Sequence, residues 1–480
     1  MFQSDQHLQS FYIDGEWRQA SDQCQLQTVI NPANGEVSGH IALAGEAEVD
    51  AAIETAQRAF PIFAGTSREQ RLELLENICR IYERRLDDIA AAISLEMGAP
   101  LDALSRPLQA PAGLWHFQTA KAVLENFAFQ HRQGSTEVVR EPIGTCALIT
   151  PWNWPMNQLV CKVAPALAVG CSIVLKPSQN SPYSATILAE ILDEAGVPRG
   201  VFNMLNGQGA KLGEQLASDP RIDMVSFTGS NGVGAQLSRA AASTIKRVSL
   251  ELGGKSANLI LDDADLEQAV TQGVRSMMSN SGQTCIAPSR MLVPAAQLER
   301  AEAIAAAVCG ELRLGDPFAS ATEVGPIAHQ RQFDSVQRLI ACGLEEGARL
   351  VCGGLGKPRG LERGLFCKPT VFSAVDNHMT IAREEIFGPV LCLIPYHDLD
   401  EAIAIANDSI YGLSGYVQSA SAERARAVAL RLRTGSVHLN GASIDLAAPF
   451  GGYKQSGNGR EWGEAGFEEF LETKAILGCI

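Results

Sequence analysis

The sequence predicts an α/β fold made of two blocks, each with a parallel sheet covered by helices, and a small β extension. Strand-like and helix-like segments alternate from "CALIT" at residue 146 to "GVGAQLSRAAA" at residue 232, and again from "ANLILDDADLEQAV" at residue 257 to "GSVHLN" at residue 435. Two further strand-like pieces, "TEVVREPIG" and "FEEFLETKAIL", fit neither block. We expect these two pieces to pair with each other, since unpaired strand edges seek partners.

Length and composition agree with two or three domains in an ordinary globular protein, because 480 residues exceed the size of a single core and 46% of them are hydrophobic. The net charge of -15 argues against nucleic acid or an anionic membrane as partner. The longest apolar region, residues 143–175, is interrupted by prolines and a lysine, so we expect no membrane span.

The N-terminal residues, the cysteines and the histidines predict the cellular compartment and the metal content. The first residues, "MFQSDQHLQSFYIDGEWRQ", do not read as a targeting signal, and the twelve cysteines form no C-x-x-C pair. Reduced thiols in the cytoplasm fit this pattern better than a disulfide framework. The eight histidines are scattered, so we expect no metal site.

Taken in chain order, two helical patterns come first. The segment "EVDAAIETAQRAF" places Val49, Ile53 and Phe60 on one face, and residues 68–97 continue as a long helical pattern that Gly98 and Pro100 end. In the first alternating block, "SIVLKP", "FNMLNG" and "DMVSFTGS" read as strands separated by helices. Ligands of such sheets bind at the carboxyl ends of the strands, so candidate residues should follow each strand.

Three strand ends carry candidate residues. In "ITPWNWP", Asn153 lies in a rigid turn, which is either a stiff surface feature or the source of an amide donor to an oxyanion. Lys176 ends "VLKPSQ", and Gly229 and Ser230 end a strand just before a helix. Such joints are often only tight packing, but together they favour a phosphate-bearing ligand across the sheet edge.

The run "NSGQTCIAPSR" contains Cys285, which differs from the other cysteines because its neighbours are small and polar. We expect its thiol to lie at a helix N-terminus, which would lower its pKa, and Gly282 to leave room beside the sulfur. Glu251 in "ELGGKS" lies thirty-four residues earlier and is either a solvated turn residue or a general base given freedom by the glycines beside it. The stretches "REEIFGPV" and "PFGGYKQSGNGRE" read, each alone, as structural turns.

These five stretches, in this order, resemble the aldehyde dehydrogenase superfamily over nearly the whole chain. The resemblance implies a Rossmann-like cofactor domain over residues 1–122 and 142–253, a catalytic domain over residues 254–455, and an oligomerisation extension over residues 123–141 and 456–480. It also implies NAD(P)+ as cofactor, a small-molecule aldehyde as substrate, and a homodimer or homotetramer.

The resemblance assigns a role to each matching residue. Cys285 is the nucleophile, Asn153 holds the oxyanion, and Glu251 activates the water that hydrolyses the thioester. The cofactor-binding residues that it implies are Thr150, Trp152, Lys176, Ser178, Gln179, Gly229, Ser230, Leu252, Glu385 and Phe387.

Two departures from the family pattern are informative. Gln179 stands where many NAD-preferring members have a glutamate that repels a 2'-phosphate, so NADP+ should be accepted or preferred. Trp154 replaces the usual phenylalanine and should narrow the pocket. The predicted pocket residues are Trp154, Asn157, Gln158, Cys161, Thr284, Ile286 and Ile444, the last within the loop "ASIDLAAPF" (residues 442–450), which should also line the entry.

The substrate expectation rests on these pocket residues. Members that act on succinate semialdehyde have arginine in place of Cys161, so a short carboxylated aldehyde is disfavoured. We expect a medium-sized aromatic or aliphatic aldehyde.

Three other functions stay open at this point. A CoA-acylating enzyme would transfer the acyl group to CoA, although Glu251 favours water. A non-catalytic relative on the same fold would not need Cys285, Glu251 or Asn153. A cofactor-free cysteine hydrolase is disfavoured because no histidine accompanies the motifs.

Overall fold

The computed structural model describes residues 7–21 and 24–479. Its strands, in chain order, are β1 Ser10–Ile13, β2 Glu16–Gln19, β3 Gln25–Ile30, β4 Val37–Leu43, β5 Gln130–Gln133, β6 Thr136–Pro142, β7 Thr145–Ile149, β8 Ser172–Lys176, β9 Phe202–Met204, β10 Met224–Thr228, β11 Arg247–Glu251, β12 Ala257–Ile260, β13 Arg290–Pro294, β14 Arg349–Cys352, β15 Thr370–Ser373, β16 Val390–Tyr396, β17 Ser414–Gln418, β18 Ser436–Leu439, β19 Gly457–Asn458 and β20 Leu471–Leu477.

The α-helices are α1 Glu46–Ala64, α2 Arg68–Arg84, α3 Leu86–Met97, α4 Ala110–Asn126, α5 Pro155–Val169, α6 Pro182–Glu194, α7 Gly209–Ser218, α8 Asn231–Ala241, α9 Leu266–Met278, α10 Leu298–Glu311, α11 Gln330–Glu345, α12 Thr380–Arg383, α13 Leu399–Asn407, α14 Ala422–Ala429 and α15 Gly463–Glu468. A π-helical segment, Leu101–Gln109, leads into α4. Short 3-10 turns occupy Ala242–Thr244, Ala295–Gln297 and Lys454–Ser456.

The second helical pattern differs from the prediction of one long helix. The backbone leaves helical geometry at Arg85, where φ is -106° and ψ is 8°, and the chain continues as a separate helix, α3. The guanidinium of Arg85 is paired with Asp88 and with Glu190 of α6. The spacing of apolar residues continues unchanged through this one-residue break, so the hydrophobic pattern could not reveal that the helix is divided.

The first block forms an eight-stranded sheet in the order β19, β11, β10, β7, β8, β9, β1, β2. Neighbouring strands from β11 to β9 are parallel. Alternate residues of β7 face opposite sides: Ala147 and Ile149 pack with Ile53 of α1, whereas Cys146 and Leu148 belong to the core on the α5 and α6 side. This confirms a parallel sheet covered on both faces, which explains its nearly continuous apolar strands.

The second block forms a seven-stranded sheet in the order β14, β15, β16, β13, β12, β17, β18, with only β14 antiparallel to its neighbour. Leu259 and Leu292 pack with the residues of α11 and α14, and Ile260 and Met291 face the side of α9 and α10. The second α/β unit is therefore also a sheet between two helical layers.

The two strand-like pieces that fitted neither block pair with each other, as predicted. β6 lies antiparallel between β5 and β20, with Thr136 opposite Leu477 at one end and Pro142 opposite Leu471 at the other. A separate two-stranded ribbon joins β3 to β4. Residues 1–6, 22, 23 and 480, which the predicted domain ranges include, lie outside the described residues. Within the described chain, no helix has the length and apolar content needed to cross a membrane.

Candidate active site

Four neighbouring parallel strands, β11, β10, β7 and β8, end at the same edge of the first sheet. Each is followed directly by residues that the sequence assigned to cofactor binding. Leu252 follows β11, Gly229 and Ser230 follow β10, Thr150 follows β7, and Lys176 ends β8. The topology therefore brings together segments that lie up to about a hundred residues apart in the chain.

The groups at the ends of β7 and β8 have unused hydrogen-bonding capacity. The hydroxyl of Thr150 and the side-chain carbonyl of Gln179 are buried without a partner among the described residues. Lys176 is 3% exposed, and its ammonium donates to the carbonyl of Pro177 at 3.1 Å. Burial lowers the pKa of Lys176 to about 8. Ser178 instead accepts from the backbone N–H of Asn180 at 3.2 Å.

The joint between β10 and α8 presents free backbone N–H groups. Ser230 is exposed, precedes the first residue of the 11-residue helix, and makes no side-chain cap. A Cβ at Gly234 would lie 2.8 Å from the side chain of Leu252, so this glycine lets α8 pack closely against the end of β11. An exposed helix N-terminus of this kind suits a phosphate group.

Glu385 approaches this edge from the second α/β unit. One of its carboxylate oxygens accepts from the N–H of Gly254 at 3.0 Å, and a Cβ at Gly253 would lie 2.2 Å from the other. Burial raises the pKa of Glu385 to about 7. The paired glycines of "ELGGKS" therefore make room for Glu385 and for the backbone of Cys285, whose carbonyl oxygen would lie 2.4 Å from a Cβ at Gly254. These close contacts account for the two glycines without the backbone freedom that the sequence suggested for Glu251.

Trp152 lies beside this edge. Its ring meets that of Phe387 edge-on at 5.6 Å and that of His329 at 5.1 Å. Phe387 adopts a positive φ of 53°, an uncommon conformation for a bulky residue. These contacts fix the turn that carries Asn153.

Cys285 does not lie at a helix N-terminus, and this expectation was wrong. The chain passes from Cys285 through an irregular segment directly into β13. Burial raises the pKa of the thiol, and the negative charges of Glu385 and Glu251 raise it further. The resting residue is therefore a thiol, and its activation requires a base.

The turn before Cys285 is strained and firmly held. Asn280, Ser281 and Gly282 all have left-handed φ angles, of 51°, 55° and 72°. Gly282 is needed because a Cβ there would lie 2.1 Å from the carbonyl oxygen of Gly388. Gly282 therefore allows the backbone of Gly388 to pack closely against the turn. This contact explains the glycine without the predicted space beside the sulfur.

Buried hydrogen bonds hold this turn. The Asn280 amide donates to the carbonyls of Asn153 at 2.8 Å and of Gln283 at 3.2 Å, and accepts from Gln109 at 3.1 Å. The hydroxyl of Ser281 donates to the carbonyl of Gly325 at 2.8 Å. Because every part of the turn is tied to a different element, the strain can persist and the position of the thiol is defined.

Asn153 belongs to the same network. Its side chain is buried, and its Nδ2 donates to the carbonyl of Gln283 at 3.0 Å. An amide nitrogen carries two hydrogens, so this bond orients the group and leaves one donor free. Because Gln283 lies two residues before Cys285 in the chain, this bond holds the Asn153 amide against the loop that carries the thiol, and an oxyanion site requires an oriented donor of this kind.

Glu251 ends β11 in a buried position with neither oxygen hydrogen-bonded to the described residues. Burial raises its pKa well above the usual value, and the negative charge of Glu461 adds to this. Glu461 pairs with the buried ammonium of Lys162, which also donates to Ser226 at 3.0 Å. Sequence reasoning missed Lys162 and the role of Glu461, although Glu461 ends the quoted stretch "PFGGYKQSGNGRE".

A cavity of about 470 Å³ opens onto Cys285. Six of the seven predicted pocket residues line it, namely Trp154, Asn157, Gln158, Thr284, Ile286 and Ile444. Three other wall residues, Ser443, Leu446 and Phe450, belong to the predicted loop "ASIDLAAPF". The remaining walls, which the sequence did not indicate, come from Leu108, Ala112, Trp115 and Trp462.

Cys161 is not among the residues that line this cavity. Its buried thiol donates to Glu461 at 3.3 Å and to the carbonyl of Gln158 at 3.5 Å. The helix α5 turns Cys161 toward the Lys162 and Glu461 pair, whereas Asn157 and Gln158 line the cavity. The identity of residue 161 therefore gives no reason to disfavour a short carboxylated aldehyde as substrate.

Trp154 connects the cavity wall to the loop that carries Cys285. Its indole N–H donates to the hydroxyl oxygen of Thr284 at 2.9 Å. This hydrogen bond uses the donor of Trp154, so the indole presents its ring to the cavity as an apolar surface.

Comparison with known proteins gives matches over nearly the full length. A model of the aldehyde dehydrogenase family matches residues 17–476. The chain is 60% identical over 468 residues to a 3-succinoylsemialdehyde-pyridine dehydrogenase of a Pseudomonas species, and the match covers 98% of each.

Solved structures agree with this. A variant of aldehyde dehydrogenase C from Pseudomonas syringae, in complex with NAD+ and octanal, superposes with a TM-score of 0.98 at 51% identity, covering 99% of this chain and 98% of that one. An aldehyde dehydrogenase of Mycobacterium tuberculosis in complex with NAD+ gives a TM-score of 0.95 at 40% identity, covering 98% of each chain.

Proposed function

Since the chain belongs to the aldehyde dehydrogenase family and oxidises an aldehyde to the carboxylic acid, we propose that Cys285, Glu251 and Asn153 carry out this reaction. One observation supports it most: the thiol of Cys285 borders the cavity, in a loop held by the Asn153 amide, within the electrostatic reach of the unpaired Glu251 carboxylate. Nucleophile, oxyanion donor and base are thus gathered at one place.

The chain's own residues account for the steps. Glu251, in its ionised form, takes the proton of the Cys285 thiol. The sulfur then forms a bond to the aldehyde carbon, and the carbonyl oxygen becomes an oxyanion that accepts from the free Asn153 N–H. NAD(P)+ held at the strand ends of the first sheet would supply the hydride acceptor for this carbon, so that oxidation would leave a thioester on Cys285. Glu251 passes that proton to solvent and then takes one from a water molecule. The resulting hydroxide attacks the thioester and releases the acid, and Glu251 returns its proton to the Cys285 thiolate.

The strand ends of the first sheet suit NAD(P)+. The unpaired hydroxyl of Thr150 and carbonyl of Gln179, with the Lys176 ammonium, would bind ribose hydroxyls. Ser230 and the N-terminus of α8 would bind the pyrophosphate. Glu385 would bind the second ribose. Gly229, Leu252, Trp152, Phe387 and Ser178 shape the surrounding surface.

We further propose that NADP+ is accepted beside NAD+. Gln179 is neutral, so it lacks the charge that would repel a 2'-phosphate, and its side-chain nitrogen can donate to that group. The relatives with bound cofactor contain NAD+, which supports the use of NAD+ and leaves the NADP+ preference as a proposal.

The substrate is proposed to be a medium-sized aromatic or aliphatic aldehyde, since a cavity of about 470 Å³ has aromatic and aliphatic walls. The 3-succinoylsemialdehyde-pyridine dehydrogenase and the octanal complex among the relatives support this size range. We propose a cytoplasmic homodimer or homotetramer. The domain ranges given above, which place residues 123–141 and 456–480 in the oligomerisation extension, stay a prediction.

The test is rapid mixing of enzyme, aldehyde and NAD+ or NADP+, followed by the absorbance of the reduced cofactor. Cys285→Ala should abolish it. Glu251→Gln should still give a first burst of about one equivalent, formed more slowly, and should lower subsequent turnover by about a hundredfold or more. Steady turnover that requires CoA would replace hydrolysis by CoA acylation, and full activity in Cys285→Ala would contradict the mechanism.

A further inference from the structure

One side chain in the cavity wall, Asn157, is oriented by a hydrogen bond to a residue outside the cavity. Asn157 is half-buried and lines the cavity. Its Oδ1 lies 2.8 Å from Nε2 of His116, a residue of α4 that is 4% exposed and does not line the cavity. The contact therefore joins a substrate-facing amide to a buried ring.

The chemistry of His116 determines which end of the amide faces the substrate. Burial lowers the pKa of His116 to about 4, against the opposing effects of Asn157 and Glu461, so the ring is neutral near pH 7 and has one N–H. A contact between Nε2 and an amide oxygen requires that hydrogen on Nε2. Asn157 consequently accepts from His116 with Oδ1 and turns Nδ2 away from it.

The Nδ2 group of Asn157 makes no hydrogen bond to the described residues and is not closed off from the cavity. Another nearby donor is already used, because the indole N–H of Trp154 donates to Thr284. An oriented donor in a mostly apolar pocket favours the binding of a substrate that places a hydrogen-bond acceptor at that point.

The aromatic residues of the cavity wall limit the kind of substrate tail that can carry this acceptor. Phe450 and Trp462 stack with centroids 4.2 Å apart, and Trp462 also packs on His116 at 5.5 Å. Trp462 adopts a positive φ of 67°, which is unusual for an aromatic residue and fixes it in this wall. Flat aromatic surfaces favour a planar, uncharged group in the tail.

From these contacts we propose that the enzyme prefers aldehydes whose tail carries a neutral hydrogen-bond acceptor, such as a ring nitrogen or a ketone oxygen, and that Asn157 recognises it. Asn157 is a specificity-determining residue, and His116 is a positioning residue that acts through it. The inference rests on the proposed function, since the tail is placed relative to an aldehyde at Cys285.

The test uses pairs of aldehydes that differ by one ring atom. Each phenyl aldehyde with one, two or three methylenes before the aldehyde is compared with its 3-pyridyl counterpart, by kcat/KM with saturating cofactor. The wild type should prefer the pyridyl partner by about 3- to 10-fold in at least one pair, the range expected for one hydrogen bond.

Variants separate recognition from general damage. Asn157→Leu, close in shape, should bring this ratio to about 1 by lowering kcat/KM for the pyridyl aldehyde. Asn157→Asp should favour the phenyl aldehyde, because a carboxylate faces the nitrogen lone pair. His116→Phe should lower the ratio through KM, with kcat for the phenyl aldehyde little changed.

The outcomes distinguish the two proposals. A wild-type ratio of 1 or less in all pairs, or a ratio unaffected by Asn157→Leu, overturns the inference although aldehyde oxidation and its dependence on Cys285 persist. Activity that does not depend on Cys285 overturns the proposed function instead. A His116→Phe variant that loses kcat for both aldehydes equally would show a structural role and remove the positioning claim.

Discussion

At the scale of single residues, burial decides the charge state of the candidate groups. The thiol of Cys285 and the carboxyl of Glu251 both have raised pKa values because they are withdrawn from water and close to other negative charges. Neither state follows from the residue type. The sequence identified both residues from their neighbours along the chain, whereas their protonation depends on residues from other elements.

Glu385 gives a prediction on pH. Because burial raises its pKa to about 7, it is mostly ionised at pH 8 and mostly protonated at pH 6. In the proposed role the carboxylate accepts from a ribose, so the Kd for NAD+ should rise by up to about tenfold as the pH falls over this range. Titration calorimetry measures it without involving the chemical step.

The control for this prediction is the adjacent, exposed Glu384. Glu385→Gln should flatten the pH dependence of NAD+ binding, and Glu384→Gln should leave it unchanged. A wild-type Kd that is constant between pH 6 and pH 8 would contradict the role given to Glu385.

Gln179 gives a prediction on cofactor choice. In Gln179→Glu, the new carboxylate would repel a 2'-phosphate, so the ratio of kcat/KM for NADP+ to that for NAD+ should fall by about tenfold, equal to about 1.4 kcal/mol. Gln57→Glu, an exposed site on α1, adds the same charge elsewhere as a control. A wild type that rejects NADP+ altogether would end this interpretation.

At the scale of elements, the strained turn of residues 280–282 shows how a short segment depends on its surroundings. Three successive left-handed residues are unfavourable in isolation, and the turn is held by Asn153, Gln109 and the backbone of Gly325. The run of small polar residues around Cys285, which first marked it, thus reflects both the chemistry and the geometry of this turn.

Gly282→Ala tests the turn. A Cβ would meet the carbonyl of Gly388 at 2.1 Å in a left-handed backbone, so we expect Tm to fall by about 2 °C or more and the burst of reduced cofactor to shrink. Gly310→Ala is the matched control, because this exposed glycine of α10 has no heavy atom within 4 Å of the added carbon and should raise Tm slightly or leave it unchanged. Equal effects of both substitutions would remove the special role of Gly282.

At the scale of the whole molecule, the three-stranded sheet leaves β20 as an edge strand. Only Leu471 of this strand is buried, and Ile476 and Leu477 are 41% and 79% exposed. An exposed edge with apolar side chains favours pairing with another chain. This supports the proposed oligomer, with β20 at its contact.

The corresponding prediction concerns mass in solution. Ile476→Lys combined with Leu477→Lys should shift the species measured by analytical ultracentrifugation toward the monomer, because burying two ammonium groups is costly. Leu430→Lys, at a residue 71% exposed that lies next to α14, is the control. A monomeric wild type, or an unchanged mass in the double variant, would contradict the proposed contact.

The sequence by itself determined the α/β class and the two sheets, and it singled out Cys285, Glu251 and Asn153 as the proposed catalytic residues through motifs that resemble a known family. These depend on local patterns: apolar alternation, short motifs and their order along the chain. Only the tertiary structure decided what depends on contacts between distant segments. It removed Cys161 from the cavity, placed Trp115 and Trp462 in its wall, and set the Asn157 amide through His116. Side-chain direction and electrostatic environment arise from packing across elements, and no local pattern encodes them.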